Sequence, residues 1–139
     1  MSKIYRFNPR PVESIKLPGK ELPTEHDEQR AFIEWFRKSA RDADGDNPVR
    51  IFAIPNGGKR GKAEAARLKS EGVTAGVPDL YVPECRLWIE FKRQKGGAVS
   101  KEQKDWHKYL EVIGDSVIIC KGCADAINKL NDFHKARTK

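Results

Sequence analysis

Glu90 and Lys92 stand two residues apart in a run that is otherwise apolar: Leu87, Trp88, Ile89 and Phe91. If that run is a strand, its period of two puts both side chains on one face. A carboxylate and an ammonium then project side by side. Asp79 follows Pro78 at the start of the preceding apolar run, and a hairpin between the two runs would set it beside Glu90. Two carboxylates and a lysine converging on one point suit metal-assisted phosphodiester hydrolysis. A hard divalent cation, Mg2+ or Mn2+, takes oxygen ligands and keeps several waters, so Asp79, Glu90 and the backbone carbonyl of Phe91 are the expected ligands. Lys92 would orient the nucleophile or offset charge building at phosphorus.

The same Glu-x-Lys spacing recurs at Glu102 and Lys104, which serves as a control. That copy falls in a helical pattern, where residues two apart point about 200° away from each other around the axis. Its groups diverge into solvent. Only the copy at 90 and 92 has strand context, apolar neighbours and a preceding Pro-Asp. The competing reading of that copy is a surface ion pair at the rim of a sheet.

The elements that must position these residues are legible around them. Thr24 reads as an N-cap followed by acids, and Ala31, Phe32, Trp35 and Phe36 form an apolar stripe at helical spacing to about residue 40. Asp42 to Pro48 is a turn-rich loop, and Val49 to Ile54 alternates like a half-buried strand. Lys62 to Glu71 has helical composition with Gly72 as its stop. Strands are expected at Asp79 to Val82 and Arg86 to Lys92, with a turn at Pro83 and Glu84. Ser100 and Gln103 make a capping box for a helix carrying Trp106, Tyr109, Leu110 and Ile113, ended by Gly114. A strand at Ser116 to Cys120 and a helix at Ala124 to Phe133 complete the order α-β-α-β-β-α-β-α. That order favours an α/β fold with a mixed central sheet flanked by helices.

A chain of 139 residues supports one domain and one core. Residues 1–23 carry Pro9, Pro11, Pro18 and Pro23 and read as an extended arm, 24–133 as the domain, and 134–139 as a basic tail. With 27 Lys and Arg against 20 Asp and Glu, the net charge is +7 and the pI about 9.4, which favours a polyanionic partner. No apolar run suits a membrane span, and the start lacks the apolar stretch of a secretory signal, so a cytoplasmic setting is expected. Cys85, Cys120 and Cys123 are odd in number, and Cys120 and Cys123 have no second pair, so all three read as plain thiols. There is no GxGxxG or P-loop sequence to hold a nucleotide cofactor.

Glu25 with Gln29, IPNGG at 54–58, GVPDL at 76–80, WIEFK at 88–92, the glycines at 96 and 97 and SKEQKDW at 100–106 together resemble the virus-type replication-repair nuclease (VRR-NUC) domain, a branch of the PD-(D/E)xK nucleases. The likeness covers residues 24–133 in order. It implies a restriction-endonuclease-like core and divalent-metal-dependent hydrolysis of DNA in a prokaryotic or phage-type setting. Asp79, Glu90 and Lys92 fall at the signature positions, and Glu25 and Gln103 are implied to line the site, Glu25 as a further metal ligand. Each has an ordinary job available. Glu25 could simply favour the positive end of its helix, and Gln103 could simply complete its capping box. Glu28 is the rival to Glu25 if the helix is rotated.

Asn56, Gly57, Gly58, Lys59, Arg60 and Lys62 combine backbone freedom with cations, and Arg93 and Lys95 add charge after the Glu-x-Lys strand, so these residues are the expected phosphate contacts. Such contacts track the backbone and carry little base information. Structure-selective cutting is therefore expected, and the resemblance implies branched DNA such as Holliday junctions, for which a homodimer would supply two symmetric cuts. The alternatives are a non-catalytic nucleic-acid-binding module, which leaves the paired acids unexplained, and a hydrolase of another phosphate ester.

Overall fold

Thr24 starts helix α1 (Glu25–Ser39) through a complete capping box: its side chain accepts from the Asp27 N–H, and Asp27 returns the bond to the Thr24 N–H. The coordinates are a computed structural model and describe residues 5–7, 22–42, 45, 47–55 and 61–137. Short strands β1 (Tyr5–Phe7) and β2 (Ala40–Asp42) pair antiparallel just past α1. Neither was foreseen: β1 falls within the expected arm, and β2 runs from the expected end of the first helix into the turn-rich loop. Four further strands make the central sheet: β3 (Phe52–Ala53), β4 (Leu80–Val82), β5 (Leu87–Lys92) and β6 (Ser116–Lys121). Their order is β3-β4-β5-β6, antiparallel except for the parallel pair β5 and β6. This is the mixed sheet expected from the element order.

The strand expected from Val49 to Ile54 is shorter than its alternation suggested. Val49 and Ile51 are buried, but only Phe52 and Ala53 pair with β4. Burial there comes from packing without a ladder.

Helix α2 (Lys62–Ser70) has no buried residue and decorates the surface. Leu87, Ile89 and Phe91 of β5 face α1 and α4 (Cys123–Arg137), forming one core with Phe32, Phe36, Ile127 and Leu130. Each of those side chains, fully buried, contributes about 1.5–3 kcal/mol. The rings of Phe32 and Phe91 lie 5.5 Å apart, fixing α1 on that face. Helix α3 (Lys101–Val112) covers the opposite face, begun by the Ser100 and Gln103 capping box. The sheet is thus sandwiched, and alternate β5 residues look at different helices.

Gly76 locks the loop before β4 onto the start of α3. Its φ is +94°, and a Cβ there would lie 2.6 Å from the Glu102 carbonyl carbon and oxygen. Gly76→Ala is expected to cost about 2–4 kcal/mol, combining left-handed strain with a forced separation of the loop from α3. Urea denaturation should show the loss as a lower midpoint at unchanged slope.

Candidate active site

Register places the Glu-x-Lys residues as strand parity predicts. Leu80 pairs with Ile89, so the residue before β4, Asp79, comes opposite Glu90. The Asp79 N–H donates to Glu90 Oε2 at 3.2 Å, and the Phe91 N–H donates to Asp79 Oδ2 at 2.7 Å. A strand residue directs its N–H and C=O to the same side. The Phe91 carbonyl therefore points past the start of β4, toward Asp79. Lys92 Nζ donates to Gln103 Oε1 at 2.8 Å and lies 3.7 Å from Glu90 Oε1, while Gln103 Nε2 donates to Glu90 Oε1. Gln103 thus performs both jobs open to it, since its Oε1 also accepts from the Ser100 N–H at 2.9 Å.

Glu90 is 1% exposed and Lys92 8%. Burial, reinforced by Asp79, pushes the Glu90 carboxyl up from an ordinary 4.5 to about 8, and Lys92 only partly opposes this. Glu90 Oε1 lies 3.7 Å from the buried Lys92 ammonium and Asp79 sits beside Glu90, so ionising both acids leaves negative charge that Lys92 alone does not neutralise. The donor set fits a hard divalent cation, which binds through one or two carboxylates and retains water. Among the described residues no group of three or more His, Cys, Asp or Glu gathers at one point. Asp79, Glu90 and the Phe91 carbonyl are the oxygen donors that would hold such an ion.

No hydrogen bond or ion pair among the described residues links Glu25 to them: it is exposed, as are His26 and Asp27, and the first buried position of α1 is Glu28. Helix α1 lies on the Phe91 face, whereas Glu90 and Lys92 meet α3. Glu28 accepts from Gln94 Nε2 at 3.2 Å and from the Cys123 N–H at 2.8 Å, so its carboxylate sits at the positive end of α4. Gly122 leaves room for it, since a Cβ there would collide with Glu28. Lys62, Arg93 and Lys95 are exposed, while Asn56, Gly57, Gly58, Lys59 and Arg60 lie outside the described residues.

His107 escaped the sequence reading. It is buried one turn beyond Gln103 on the same face of α3, its Nε2 has no hydrogen-bond partner among the described residues, and burial lowers its pKa. Lys92 and Asp79 are close enough to act on it electrostatically. The signal available was its spacing of four from Gln103. Cys85, Cys120 and Cys123 are buried thiols, and burial pushes Cys120 and Cys123 up to about 12, so neither forms a reactive thiolate.

No helix among the described residues is long and apolar enough to cross a membrane. No family model and no curated protein matches the chain. A solved structure described as a VRR_NUC domain protein does match: 25% identity, 83% of this chain and 91% of the other covered, and a TM-score of 0.67. In fold, as in the order of its motifs, this chain is similar to the VRR-NUC domains, a nuclease family.

Proposed function

We propose that this protein is a divalent-metal-dependent DNA endonuclease acting through Asp79, Glu90 and Lys92. The observation that carries the reading is the contact between Asp79 and Glu90, with Glu90 pushed toward its neutral form by burial and by its neighbour. Buried like charges cost stability unless something completes them. Asp79, Glu90 and the Phe91 carbonyl would hold Mg2+ or Mn2+. The ion, when bound, supplies a more acidic water and offsets charge on the phosphoryl oxygens.

The chain's own residues do the rest. Lys92, held by Gln103, keeps its ammonium beside Glu90, where negative charge develops as water attacks phosphorus and the P–O ester bond breaks. A donor fixed at such a point contributes about 10^2–10^3 in rate. Gln103 binds Glu90 with its amide NH2 and Lys92 with its amide oxygen, so one side chain from α3 sets the spacing of both. Exposed Lys62, Arg93 and Lys95, together with Asn56, Gly57, Gly58, Lys59 and Arg60 of the sequence, would supply the phosphate contacts. Since these read the backbone, selectivity is for DNA structure: branched DNA, cut by a homodimer in replication, recombination or repair.

A panel of linear duplex, single-stranded, flapped, splayed and four-way DNA tests this. Cutting should require Mg2+ or Mn2+, stop with chelator and favour the branched members. Tight binding of the panel without cleavage in either metal would establish the binding-module alternative instead.

A further inference from the structure

The face that carries Asp79, Glu90 and Lys92 holds a second set of residues. Strand parity puts Tyr81 on the side of Asp79 and Trp88 on the side of Glu90, and register sets Phe52 opposite Tyr81 and Tyr81 opposite Trp88. The Phe52 and Tyr81 rings meet edge to face at 5.7 Å, and the Tyr81 and Trp88 rings lie 4.3 Å apart, tilted by 38°. Three rings thus form a row across β3, β4 and β5.

None of the three belongs to the hydrophobic core, which occupies the opposite face. Phe52 is 47% exposed, and Tyr81 and Trp88 are half-buried. Helix α3 makes its main sheet contact with β6, at the far edge from β3. The indole is nevertheless held in place: Trp88 Nε1 donates to Asp115 Oδ2 at 2.9 Å, and Arg86 Nε donates to Asp115 Oδ1 at 2.6 Å. Rings fixed in a row and left open to solvent cost free energy unless a ligand uses them.

The geometry points to a stacking platform for unpaired bases beside the carboxylates. Along β4 and β5 the ring positions stand about 7 Å from Asp79 and Glu90, two residues of strand rise. A strand whose phosphodiester lies at the carboxylates brings its neighbouring bases over Tyr81 and Trp88. The occupant is nucleic acid because a cation accompanies the rings: exposed Arg50 precedes Phe52 by two residues, and, although Arg86 is paired with Asp115, the chain as a whole carries +7. Aromatic faces within a positive surface are the general means of holding single strands. Paired bases in a duplex cannot reach these rings, so the row would select unpaired nucleotides next to the cut. This selection rests on the nuclease reading of the site, whereas the binding itself does not.

The test is binding by metal-free protein, measured as fluorescence anisotropy of a labelled oligothymidylate and of a blunt hairpin duplex. In Phe52→Ala and Tyr81→Leu the ratio of single-strand to duplex affinity should fall by about 5- to 100-fold per ring. An unchanged ratio in both variants overturns the platform. So does an unchanged ratio accompanied by conversion of a dimer to monomers in sedimentation, which would make the row a self-association surface. If the wild type cuts nothing yet the ratio collapses in the variants, the nuclease reading fails and the platform stands.

Discussion

Glu90→Gln is expected to abolish detectable cutting while making the metal-free protein more stable. Metal-assisted stabilisation of the transition state is worth several kcal/mol, and at 1.36 kcal/mol per factor of ten its loss is about 10^3-fold or more. Stability moves the other way because the environment of Glu90 disfavours its charge: burial and Asp79 outweigh the attraction of Lys92. Its carboxyl ordinarily titrates at 4.5 and here at about 8, so the folded chain holds a proton that the unfolded chain releases over that interval. A raised folded value means that the associated stability is present below 4.5 and is lost as pH rises through about 8. Glutamine is neutral throughout. The gain of Glu90→Gln over wild type should therefore be smallest near pH 4 and grow to on the order of a few kcal/mol above pH 8. Denaturation in chelator at a series of pH values measures it. A flat difference across that range would show that Glu90 is not held toward its neutral form and that no uncompensated charge calls for a cation there.

Metal should reverse the pH trend. Binding requires the Glu90 proton to leave, so apparent Mn2+ affinity should rise about tenfold per pH unit below about 8 and level off above. Titration calorimetry without DNA reads this directly.

What the sequence made legible was mostly local. The N-cap at Thr24 and the capping box at Ser100 were visible because each is set by residues within one turn, with no tertiary term. The pairing of Asp79 with Glu90 was visible because strand parity and a short hairpin leave one simple register. Glu25 and Glu28 were harder to separate. Both project near the azimuth of Phe32, at seven and four residues before it, and a helical wheel gives azimuth without height. The first turn of α1 stands beyond the packed core, so Glu25 is exposed and Glu28 is the first residue to be covered. Helix α1 packs on the Phe91 face of β5 and not on the Glu90 face, which depends on which helix lies on which side of the sheet. Strands β1 and β2 were illegible for a similar reason: three-residue strands are made by their partners, not by their own pattern. The aromatic row shows the converse. Phe52, Tyr81 and Trp88 look like ordinary strand residues one at a time, and only cross-strand register brings the rings together.

Lys92→Met should separate catalysis from loading. Methionine fills most of the volume of the buried lysine stem, so the fold survives, but the ammonium beside Glu90 is gone. Turnover is expected to fall by about 10^2–10^3 or more, the value of one positioned donor in a water-poor site. Mn2+ affinity should hold or rise, because a cation that repels the ion has been removed while Asp79, Glu90 and the Phe91 carbonyl remain. DNA affinity should change by only about twofold, since a single charge is a small part of a contact with many phosphates. Glu90→Gln should show the complementary pattern, losing Mn2+ affinity along with activity. If Lys92→Met instead loses DNA binding by a large factor while Glu90→Gln binds DNA and Mn2+ as the wild type does, the lysine is a phosphate anchor and the carboxylates are structural. That result would move the protein to the non-catalytic class. The predicted pattern, with metal bound and DNA bound but no cleavage, requires Lys92 to act on the reacting phosphate.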